Sequence, residues 1–88
     1  MRHVFIDGSS VSSMAEIHAI LARELDFPAW YGNNLDALHD CLTELTEETG
    51  IYVLHPQALM STMGPTYVRF FRVLADAAEE NPYLQIKI

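Results

Sequence analysis

Ile51-Tyr52-Val53-Leu54-His55-Pro56 decides the architecture of this chain. Four apolar residues in a row, closed by a His-Pro step, have the pattern of a strand covered on both faces, as strands of parallel sheets are. Pro56 cannot donate to a ladder but fits the first turn of a helix, so a short helical segment is expected from Pro56 to about Met63. Gly64-Pro65 separates it from a longer helix over 66–80, where Tyr67, Phe70, Phe71, Leu74, Ala77 and Ala78 keep helical spacing and Asn81-Pro82 is the stop. Tyr83-Leu84-Gln85-Ile86-Lys87-Ile88 then alternates apolar and polar residues, as a half-exposed strand does. Two strands joined through helices imply a crossover and hence parallel pairing.

Towards the N-terminus, Glu47-Glu48-Thr49-Gly50 reads as a polar turn that ends a helix. That helix carries Leu35, Leu38, Leu42 and Leu45 as an apolar stripe, with Asn34 as its N-cap. Residues 26–33 hold Pro28, Gly32 and the adjacent aromatics Trp30 and Tyr31, a loop with bulky anchors of which one is expected inside and one partly exposed. Ser13-Met14-Ala15-Glu16 has capping-box spacing, and Ile17, Ile20, Leu21 and Leu25 follow at helical intervals, with His18, Arg23 and Glu24 mostly on the other side. Arg2-His3-Val4-Phe5-Ile6, closed by Asp7-Gly8, is a buried first strand. The expected fold is a small single α/β domain over residues 1–88, with a three-stranded, mainly parallel sheet packed by helices.

The composition narrows the function. Twelve Asp and Glu against five Lys and Arg give a net charge of −7, which leaves no basic face for direct nucleic-acid binding and favours a cationic partner. With 50% apolar and 19% charged residues the chain has the makings of a core. No apolar run approaches the roughly 20 residues needed to span a bilayer and nothing reads as a signal peptide, so no membrane association and a cytoplasmic location are expected. The lone Cys41 has no internal disulfide partner and falls toward the apolar side of its helix, most simply as a small buried hydrophobe.

At 100° per residue, Asp36, Asp40 and Glu44 form a ridge opposite the leucine stripe. Like charges four apart cost about 0.2–0.5 kcal/mol per pair in a helix, a locally unfavourable pattern that invites a functional explanation. Taken alone, such a face more often serves solubility, and Asp36 gains from the helix dipole. Asp76 and Glu80 repeat the spacing on the last helix, although Arg72 is placed to pair with Asp76. His39 either contacts a partner or flanks the exposed face. His3, His18 and His55 share no ligand spacing with His39 or Cys41, so no metal is assigned. A convex ridge without a cleft, a phosphate loop or a nucleophile elbow argues against an enzyme, and no cofactor is implied.

Leu25-Asp26-Phe27-Pro28-Ala29-Trp30-Tyr31-Gly32-Asn33-Asn34-Leu35-Asp36-Ala37-Leu38-His39-Asp40-Cys41-Leu42-Thr43 resembles the signature of the barstar family, intracellular inhibitors of microbial ribonucleases such as barnase. The resemblance extends more weakly over the whole chain, in the order of elements and the acids of the last helix. It implies a three-stranded parallel α/β fold and an inhibitor whose second helix and preceding loop plug the nuclease active site. On that reading Asp40 matches the acid that takes the place of an RNA phosphate, Asp36 a rim contact, Trp30 an aromatic lying against the enzyme's histidine, and Asn34 and Leu35 neighbouring contacts. Asp76 falls where the family has a glutamate paired with a basic residue of the enzyme, and Glu80 matches a further acid. His39 departs from a tryptophan, Glu44-Leu45 from a glycine and an aromatic, and Asp76 from a longer acid. These departures lie on the implied binding face, so they bear on which ribonuclease is the target. The partner expected is a basic ribonuclease, either barnase-like or a ribonuclease toxin domain, bound one to one by a monomer acting as an immunity protein. The alternative is a barstar-like module whose face recognises another basic protein.

Overall fold

The computed structural model describes all 88 residues. β1 (Arg2–Asp7) leads through α1 (Met14–Glu24) and α2 (Leu35–Thr43) to β2 (Thr49–Leu54). From β2 the chain passes through α3 (Pro56–Met63) and α4 (Pro65–Glu80) to β3 (Leu84–Lys87). β2 lies between β1 and β3 and pairs parallel with both, so the three-stranded α/β architecture expected from the sequence is the one formed. The register sets Val4 beside Ile51 and Ile51 beside Ile86, which turns Val4, Ile6, Ile51, Val53 and Leu84 to one face. There they meet Ile17, Leu21, Leu38, Leu42, Leu59, Phe70 and Leu74 in a single apolar cluster.

The opposite face of the sheet is open, which corrects the expectation of a doubly covered β2. Phe5 there is 57% exposed and Tyr52 is half-buried. The apolar run misled because Tyr52 is covered by its own strand and the next one, not by a helix. Its ring stacks on Phe5 with centroids 4.8 Å apart, and its hydroxyl lies 2.9 Å from His3 Nδ1. The same ring lies over Gly50, where an added Cβ would sit 3.0 Å from it.

Local signals explain most element ends. Ser13 Oγ accepts from the Glu16 amide at 3.3 Å, but the Glu16 carboxylate takes the Ser12 hydroxyl instead of the Ser13 amide, so only half of the expected capping box forms. The β2–α3 turn passes through His55 in the left-handed region, at φ 52°. The turn after β1 presses against it so closely that a Cβ on Gly8 would fall 2.4 Å from the His55 carbonyl oxygen. The last helix starts one residue earlier than expected, at Pro65. His18, expected mostly outside, is only 4% exposed and belongs to the interior.

Candidate functional site: the outer face of the second helix

The loop ahead of α2 is built between two left-handed residues. Asp26, at φ 53°, ends α1, and the following Phe27 amide donates back to the Ala22 carbonyl at 3.0 Å, satisfying a helix-end acceptor. Asn33, also at φ 53°, turns the chain into α2, where Asn34 Oδ1 accepts from the Ala37 amide at 2.8 Å as the N-cap. Between them Tyr31 is buried and Trp30 is 79% exposed, the division expected of the pair. Tyr31 is fixed by a 2.5 Å hydrogen bond between its hydroxyl and His18 Nδ1, and by the edge of Phe27. Tyr31 directs the loop inward, leaving Trp30 on the outside.

α2 seats Leu38 and Leu42 in the core, so Asp36, Asp40 and Glu44 face outward as the helical spacing predicts. The Asp40 side chain is 80% exposed. Of the arginines, Arg2 pairs with Glu47 and Asp26, and Arg23 with Glu24; neither these nor any other Arg or Lys pairs with Asp36, Asp40, Glu44, Asp76 or Glu80. The Arg72–Asp76 pair expected from sequence is absent as well, since both side chains stand in solvent where pairing gains little. α2 ends at Thr43, short of Leu45, because the Thr43 hydroxyl donates to the carbonyls of His39 and Asp40, both at 3.0 Å, and the next amides tighten into a narrower turn.

Two contacts fix α2 against α4. Buried Asn81 donates through Nδ2 to the carbonyls of Leu42 at 2.9 Å and Leu45 at 3.0 Å, while its Oδ1 accepts from the Tyr83 amide at 3.0 Å. From sequence Asn81 reads only as a helix stop; a polar residue at a helix end followed by proline is the signal for its second role. On the surface, His39 Nε2 lies 2.6 Å from Glu80 Oε2, and His39 Nδ1 lies 3.8 Å from Asp40 Oδ1. The Glu80 hydrogen bond is the main reason the imidazole holds its proton above the ordinary histidine range, with Asp40 adding to it.

Trp30, Ala37, Asp40, Cys41, Thr43 and Glu44 line an open groove of about 320 Å³. Cys41 is half-buried at its floor and not fully enclosed as expected. Burial, followed by the fields of Glu44 and Asp40, pushes its thiol up, so it stays protonated. Of the residues singled out from sequence, Trp30, Asp40 and Glu44 share this groove, and His39, Asp40 and Glu80 share the inter-helix bridge. Asp36 and Asp76 are exposed one turn back on α2 and α4 respectively. Asn34 spends its acceptor on the cap and Leu35 is half-buried at the helix start. An aromatic and an amphipathic groove edged by carboxylates suit a flat cationic side chain, which can stack on the indole while its N–H groups meet the acids.

A protein-family model described as Barstar (barnase inhibitor) matches residues 1–87. The chain belongs to the barstar family. A Bacillus subtilis (strain 168) protein named "Putative ribonuclease inhibitor YrdF" is 37% identical over 81 residues, covering 91% of this chain and 89% of that one. Membership in the barstar family points to an inhibitor rather than an enzyme, with a ribonuclease as the partner class. It also agrees with the four helices and parallel three-stranded sheet described above.

Proposed function

We propose that this barstar-family chain inhibits a microbial ribonuclease by seating α2 and the loop over residues 26–33 in the enzyme's active-site cleft. A cleft that holds an RNA backbone is cationic, and a preformed row of carboxylates matches it without offering a bond to cleave. Asp40 takes the place of a phosphate, Asp36 meets the rim, and Trp30 stacks on a ring or guanidinium of the enzyme. Glu44, Asp76 and Glu80 extend the negative field, His39 and Leu35 lie at the contact, and Asn34 holds the helix start in place. The complex is one to one, with the inhibitor a monomer acting in the cytoplasm as the antidote to its nuclease. The observation that carries this reading is the set of outward carboxylates beside an exposed tryptophan, none of them paired with an arginine or lysine of the chain itself.

Titration calorimetry against barnase, and against guanyl-specific ribonucleases and ribonuclease toxin domains, tests it. Asp40→Ala is expected to lose about 2–5 kcal/mol of binding, because it leaves enzyme cations buried without a partner. Glu48→Ala, an exposed acid outside the face, is expected to lose less than about 0.5 kcal/mol. Equal small losses from both, with circular dichroism unchanged, would remove the proposal.

A further inference from the structure

His39 is placed between carboxylates of two different helices, Glu80 of α4 at 2.6 Å and Asp40 of α2 at 3.8 Å. The other charged groups of these faces are Asp36 one turn back on α2, Glu44 beyond Asp40 and, going back along α4, Asp76, Arg72 and Arg69; the two arginines are exposed and pair with no carboxylate. The imidazole is the one basic group in contact with these acids. Its side chain is 32% exposed against 80% for Asp40 and 56% for Glu80, so the two acids are free to turn toward a partner while the ring stays near the helix junction.

We propose that His39 is a proton-operated clasp in the binding face: protonated, it joins α2 to α4 through Glu80 and cancels one negative charge beside Asp40; neutral, it leaves the face at full charge. A cationic cleft and the His39 proton then compete for the same two carboxylates, so docking expels the proton. The docking half rests on the ribonuclease reading; the clasp exists in the free protein. The Glu80 hydrogen bond holds the ring's pKa above 6.5, which brings the exchange toward neutral pH. One linked proton sets a ceiling of about tenfold in affinity per pH unit.

The test has a partner-free arm and two binding arms. NMR of the free protein follows the His39 ring through a pH titration in wild type and in Glu80→Gln; the midpoint is expected above 6.5 in the first and lower in the second. Affinity for an N-acetylated hexa-arginine peptide, which has no α-amino group and whose guanidinium groups do not titrate in this range, is then measured from about pH 5.5 to about pH 8.5. Wild type is expected to gain affinity with rising pH, by up to about tenfold per unit, and His39→Gln to stay flat, since glutamine keeps a donor to Glu80 without a titrating proton. Barnase is taken through the same series, where the difference between the two profiles isolates His39 from the enzyme's own titrations. A His39 midpoint indifferent to Glu80→Gln, or parallel hexa-arginine profiles in the two proteins, overturns the clasp. Barnase bound by neither protein, with the hexa-arginine difference intact, supports the clasp and counts against the ribonuclease reading instead.

Discussion

The His18–Tyr31 pair shows how one hydrogen bond sets what the neighbouring residue can do. Both groups are interior, and their 2.5 Å contact is what holds Tyr31 in while Trp30 stands 79% exposed. Burial drives the Tyr31 hydroxyl up to about 12 and His18 down from 6.5, so both are uncharged at neutral pH. The sign follows from which state takes the proton first. Unfolded His18 protonates near 6.5 while folded His18 resists to lower pH, so acidification through that window favours unfolding. His39 has the opposite sign: its contribution is complete below 6.5 and disappears as pH rises through its elevated folded value. Tyr31→Phe, which leaves His18 Nδ1 without its partner in the interior, is expected to cost about 1–3 kcal/mol in urea unfolding. The loss should be about the same near pH 5, because unfolded-state protonation of His18 weakens wild type and variant alike. His18 was misplaced in the sequence because its position beside Ile17 was weighed by polarity; only the approach of Tyr31 makes a buried imidazole affordable.

Among the elements, the second helix owes its outward face to its own sequence and its fixed position to Asn81. Leucine spacing buries Leu38 and Leu42 and thereby turns Asp36, Asp40 and Glu44 out, and the Asn34 cap starts the helix at the position its sequence predicts. Its C-terminal carbonyls, however, are satisfied by Asn81, which is 39 residues away from Leu42 in sequence. Asn81→Ala strands the Leu45 carbonyl and the Tyr83 amide and leaves the Leu42 carbonyl with only the 3.4 Å bond from the Leu45 amide, and is expected to cost about 2–3 kcal/mol in thermal or urea unfolding. Hydrogen exchange should quicken in the turn after α2 before it does in β2. The open sheet face teaches the same lesson: a run such as Ile51–Tyr52–Val53–Leu54 says that both sides are apolar, and only the register with Phe5 reveals that one side is covered by aromatic stacking.

Across the molecule, charge is sorted by position. Arg2 is spent on Asp26 and Glu47 at the base of the loop, and Arg23 on its neighbour Glu24, so the acids of the α2–α4 face keep their field. With a net charge of −7, association with a basic ribonuclease is expected to slow by about tenfold or more between low and high salt, while dissociation changes much less. Stopped-flow mixing measures both rates; an association rate indifferent to salt would remove electrostatic steering. The α/β class, the order of strands and helices and the acid ridge were legible from the sequence, because side-chain periodicity and capping act over a few residues; that one of Trp30 and Tyr31 is buried was expected, but which one was decided by the contact with His18. The joining of α2 to α4 through Asn81, the His39–Glu80 bridge, the missing Arg72–Asp76 pair and the single covered face of the sheet were decided by tertiary structure. Each depends on distances between segments remote in sequence, and those distances are set only when the shared core of Leu38, Leu42, Phe70 and Leu74 closes.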